Sequence, residues 1–112
     1  MDGASVHSIR MQIGYTQRFF ATLLGVHPLT VSRWECDALV PAPNIVRLLE
    51  AIQTALQQDP ERLPSRLYAL REEPLRALAA VLSVLHPDVA AESVVSRADA
   101  EAILASARVS IS

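Results

Sequence analysis

The chain contains no lysine and only one cysteine, Cys36. A single cysteine cannot form an internal disulfide. With no histidine near it, it cannot build the usual zinc cluster either, so a reducing cytoplasm is the expected setting. Aromatic residues make up 4% of the chain. Core volume must therefore come from Leu, Val, Ile and Ala, and few runs are β-branched enough to read as strands. No apolar run approaches the ~20 residues that span a bilayer. The opening Met-Asp-Gly-Ala-Ser lacks the basic segment and apolar stretch of a signal peptide, so no membrane partner is expected. Internal repeats and low-complexity tracts are absent. An excess of positive charge is also missing: the net charge is −2 and all ten basic residues are arginine. That weighs mildly against a nucleic-acid partner, although DNA responds to the charge on one face rather than to the total.

What is present is apolar. The hydrophobic share is 51% and the charged share 20% over 112 residues, enough to bury a core in one compact domain with a docked extension. The periodicity is helical throughout. Residues 5–13 place Val6, Ile9 and Ile13 on one face, with Ser5 as the N-cap, residues 1–4 frayed and Gly14 as the stop. Thr16 caps a second helix that runs to Leu24 and stops at Gly25. A third starts at Pro28, with His27 as a weaker cap, and ends near Glu35. Residues 36–43 hold two prolines and form a loop. Pro43 or Asn44 opens a stronger helix, with Ile45, Leu48, Leu49, Ile52 and Leu56 on its apolar face and an end by Asp59.

The second half is more apolar. A helix from about Pro64 carries Leu67, Tyr68 and Leu70. Residues 73–86 read as another, with Pro74 in its first turn and Leu75, Leu78, Leu82 and Leu85 along one stripe, widened by Ala79 and Val81. Residues 88–96 are ambiguous. A last helix from Ser96 or Arg97 puts Ala100, Ile103, Leu104 and Ala107 on one face, and residues 109–112 are left open. The expected fold is all-α, with one unit over 5–58 and a helical C-terminal region over 60–112.

The helix pair within residues 16–37 carries the functional signal. Val31 and Trp34, three apart, anchor the third helix from its inner face, which leaves Pro28, Leu29, Thr30, Ser32 and Arg33 on or near its outer one. A helix that enters the major groove needs this division. Arg33 can offer a bidentate fork to guanine, worth about 1–3 kcal/mol of discrimination. Leu29 suits a thymine methyl, and Thr30 and Ser32 suit a base edge or phosphate. Arg18 and His27 are candidates for phosphate. The plainer alternative for Arg33 is a solvated surface role, and Trp34 is read as core rather than as a stacking platform for bases. His7, His27 and His86 are isolated in sequence, and only His27, at the mouth of the third helix, is kept as a candidate.

Residues 9–52 resemble the Xre/Cro/C1 family of helix-turn-helix regulators. The resemblance lies in Ile9-Arg10, Gly14-Tyr15-Thr16-Gln17, Ala21-Thr22-Leu23-Leu24-Gly25-Val26, Thr30-Val31-Ser32-Arg33-Trp34-Glu35, Pro41 and the Leu48-Leu49 helix. It implies a lambda-repressor-like bundle over 5–58 that binds double-stranded DNA. It also implies that Gln17 meets backbone phosphate and that Arg10 and Glu35 form a structural ion pair. Two positions depart from the family pattern. His27 replaces a small hydroxyl residue. Asp37 stands where relatives usually have Gly; it tolerates the left-handed conformation, but its charge would face DNA if it lay on that side.

A helix-turn-helix reads a palindrome best as a dimer. The expected dimer surface is Leu75, Leu78, Leu82 and Leu85 with Ile103 and Leu104, the alternative being that these residues pack on the N-terminal helices. The function implied is a homodimeric repressor on a palindromic operator. The alternative is an antitoxin or adaptor that binds a partner protein through residues 60–112 and uses DNA binding for autoregulation. No nucleophile–base pair, carboxylate dyad, phosphate loop or metal cluster is legible, so neither catalysis nor a cofactor is expected.

Overall fold

A computed structural model describes residues 1–86 of the chain. It contains six α-helices: α1 (Gly3–Ile13), α2 (Gln17–Leu24), α3 (Pro28–Glu35), α4 (Pro43–Gln58), α5 (Leu63–Ala69) and α6 (Pro74–Leu85). Among the described residues no strand is present, and no helix is long and apolar enough to cross a membrane. The expected last helix, with Ile103 and Leu104, lies outside the described residues.

The start of α1 differs from the sequence expectation. Asp2, not Ser5, is the N-cap, and its carboxylate accepts from the Ser5 backbone N–H at 2.8 Å. The helix begins three residues earlier than a Ser5 cap would place it, because Gly3 has no side chain. A Cβ there would collide with the backbone carbonyl oxygens of Trp34 and of Glu35, the latter at 2.7 Å. α1 can thus seat its first turn against the C-terminal end of α3. The Gly3 N–H donates to Asp37 Oδ1 at 2.8 Å, and Met1 packs against the core, so residues 1–3 are tied down rather than frayed.

The other stops follow backbone chemistry. Gly14 and Gly25 close α1 and α2 in the left-handed region, at φ 70° and 74°. Pro43, Pro64 and Pro74 each sit in the first turn of a helix, where a missing N–H costs nothing.

A single core runs from Val6 to Leu82. α1, α2 and α3 pack together, α4 lies against α1, and α6 packs on α4, α2 and α5. α5 closes over α1, where the buried Tyr15 hydroxyl donates to the Leu67 carbonyl at 2.6 Å. Burial pushes the Tyr15 phenol up to about 12, with the nearby Arg71 charge pulling the other way.

α6 corrects the expected dimer stripe. Leu78 and Leu82 are 0% and 1% exposed, buried in the chain's own core with Ala77, Ala80 and Val81. Leu85 is half-buried against that core, and only Leu75 is exposed. The reason is periodicity: α6 is apolar almost all round, and residues 77, 78, 81 and 82 make the face that meets α4 and α2. Leu78 and Leu82 are core residues, not surface offered to a second chain.

Candidate nucleic-acid interface

The pair α2–α3 is built from its caps inward. Thr16 Oγ1 accepts from the Phe19 N–H at 3.1 Å and fixes the start of α2. Phe20, Ala21, Leu23 and Leu24 bury its inner face. Gly25 then turns the chain, and the Val26 N–H returns to the Ala21 carbonyl at 3.0 Å. His27 caps α3 with its ring: Nδ1 accepts from the Leu29 N–H at 3.1 Å. That hydrogen bond needs an unprotonated Nδ1, so in the neutral ring the proton sits on Nε2. His27 is exposed, and a donor remains at the mouth of α3.

α3 has two distinct faces. Val31 and Trp34 are 0% and 3% exposed and hold the helix to the core. Leu29 is 49% exposed. Arg33 is exposed, and Pro28, Thr30 and Ser32 are half-buried beside them. Among the described residues neither Arg33 nor Arg18 has a carboxylate partner, so both guanidinium groups are available to a ligand.

One polar network ties α1, α2 and α3 together. Arg10 Nε donates to Glu35 Oε2 at 2.7 Å and Arg10 Nη2 donates to Oε1 at 3.0 Å, a two-pronged ion pair with both side chains nearly covered. Arg10 Nη1 donates to the Tyr15 carbonyl at 2.9 Å. Gln17 Nε2 donates to Glu35 Oε1 at 3.2 Å. The amide nitrogen carries two hydrogens, so this contact orients Gln17 and leaves it a second donor. Burial pushes the Glu35 carboxyl up, but hydrogen bonds from Arg10, His7 and Gln17 and the Arg10 charge outweigh it and hold the group below the ordinary carboxylate value.

Two members of this region were not assigned from the sequence. His7 Nδ1 lies 3.2 Å from both Glu35 Oε1 and Arg10 Nη2. Its signal was its position three residues before Arg10 on the same helix face. Asp37 is the other. Its φ of 60° is left-handed, and its carboxylate is turned back onto the start of α1. The carboxylate, whose charge would face DNA only if it lay on that side, is engaged by the Gly3 N–H. Beyond it, Leu39 and Val40 form an exposed apolar loop tip, and Cys36 is exposed beside it.

Residues 6–58 match the family described as helix-turn-helix. Comparison with curated proteins and with solved structures gives no match. The chain therefore carries a helix-turn-helix domain, which supports DNA binding and a regulatory role in general terms.

Proposed function

We propose that the chain is a sequence-specific DNA-binding transcriptional regulator that inserts α3 into the major groove and represses by occupying a palindromic operator as a homodimer. The carrying observation is the division of α3. Val31 and Trp34 fix it from behind, while Leu29 and an unpaired Arg33 project from the outer surface of a helix held rigidly by its caps. In this reading Arg33, Leu29, Thr30, Ser32 and Pro28 meet the bases. Gln17, Arg18 and His27 meet the phosphates at the open ends of α2 and α3. Arg10 and Glu35 read nothing; they hold Gln17 and the three helices in register.

Dimerisation is proposed for the region after residue 60. Because Leu78 and Leu82 are already buried, the second copy would be met by Leu75, Leu85 and the segment that contains Ile103 and Leu104. The test is selection of bound sequences from a random DNA pool, done with the wild type and with Arg33→Ala. Enrichment of a palindrome whose guanine preference is lost in the variant supports the proposal. No enrichment with the wild type overturns it, and an unchanged preference in the variant removes Arg33 as the reading residue.

A further inference from the structure

We propose that Arg71, in the turn between α5 and α6, is a DNA-backbone contact, a guanidinium held beside the first turn of α2 for a phosphate next to the one that Gln17 and Arg18 meet. This rests on the DNA-binding proposal above. It extends that proposal to a residue outside the matched helix-turn-helix region of 6–58.

The placement comes from the surroundings of Tyr68 and Phe19. Tyr68, at the end of α5, lies over the α1–α2 junction: a Cβ on Gly14 would meet its ring at 3.2 Å. The Arg71 guanidinium carbon sits 4.4 Å from the centre of that Tyr68 ring and 5.8 Å from the centre of the Phe19 ring. Phe19 belongs to the first turn of α2, since its N–H bonds the Thr16 cap. Arg71 Nη1 donates to the Tyr68 carbonyl at 2.9 Å. The side chain is therefore fixed by stacking and by one hydrogen bond, with most of its five N–H donors unspent. Among the described residues no carboxylate pairs with it.

The charge balance gives this cation a purpose. Residues 1–58 carry Arg10, Arg18, Arg33 and Arg47 against Asp2, Glu35, Asp37 and Glu50, a net of zero, and Arg10 is consumed by Glu35. A helix-turn-helix with so few free cations has little to set against a polyanion. The turn between α5 and α6 adds one in a fixed position, beside the first turn of α2. A stacked arginine held in place loses less freedom on meeting phosphate than a free surface side chain does.

The test is the salt dependence of DNA affinity, measured on the full chain with the selected site. Each phosphate contact contributes about 0.9 to the slope of log affinity against log salt. Arg71→Gln keeps a donor for the Tyr68 carbonyl and removes the charge; Arg71→Ala removes both. The slope should fall by about 1 in either variant, to the same extent on specific and non-specific DNA. It should stay unchanged in Arg76→Ala, whose guanidinium is held by Glu73. A purely structural role for Arg71 would lower the melting temperature and leave the slope unchanged, and that result overturns the inference. A slope that falls equally in Arg76→Ala overturns it too, because the effect would then be one of total charge. A wild type that binds no DNA removes this inference together with the reading it rests on.

Discussion

Glu35, on α3, gathers contacts from two other helices: Arg10 and His7 on α1 and Gln17 on α2. Removing it leaves the Arg10 guanidinium nearly covered and unpaired, so Glu35→Ala should cost about 3 kcal/mol of stability, read as a drop in melting temperature. The sign of the pH effect follows from the direction of the shift. The folded carboxyl is held below its ordinary value of 4.5, so its contribution is complete above that value and is lost as pH falls through the lower, folded one. The gap in melting temperature between wild type and Glu35→Gln should therefore be full at neutral pH and narrow below about 4.5. Residue by residue, legibility was uneven. The Arg10–Glu35 contact could be placed because a family resemblance supplied a pairing that a separation of 25 positions hides. The Asp37 carboxylate could not, because its partner, the Gly3 N–H, is 34 residues away and carries no side-chain signal.

The helices themselves were legible because their stops are local chemistry. Gly14, Gly25, Pro28, Pro43 and Pro74 mark ends that depend on φ or on a missing N–H, and each is visible in a single sequence. The first turn of α1 was missed for the opposite reason. Ser5 is a sound cap in isolation, and only the close approach of α3 explains why the helix starts at a residue with no side chain. The α2–α3 turn is the element that aims α3, and Gly25 sits there at φ 74°. Gly25→Ala should cost about 1–2 kcal/mol from left-handed strain and weaken DNA binding by more than the unfolded fraction accounts for. A chemical denaturation curve measured beside a DNA titration separates the two effects.

For the whole molecule, α5 and α6 have a first duty to the core. A leucine stripe read from sequence says that a face is apolar, not which surface covers it, and α6 is apolar on nearly every face. Packing on α4 and α2 decided the matter for Leu78 and Leu82. Leu82→Ala should therefore destabilise the monomer by about 2–5 kcal/mol through the cavity it leaves. Leu75→Ala should change stability by less than about 0.5 kcal/mol, and any effect it has should appear in light scattering as weaker self-association. The central claim concerns the molecule as a reader of DNA, and the most direct test joins one side chain to one base pair. Affinity is measured for the selected site and for the same site with the guanine assigned to Arg33 replaced, using wild type and Arg33→Ala. The wild type should lose about 10- to 100-fold on the altered site, and Arg33→Ala should bind the two sites alike. Discrimination that survives intact in Arg33→Ala would contradict the assignment of α3 as the reading helix through this residue.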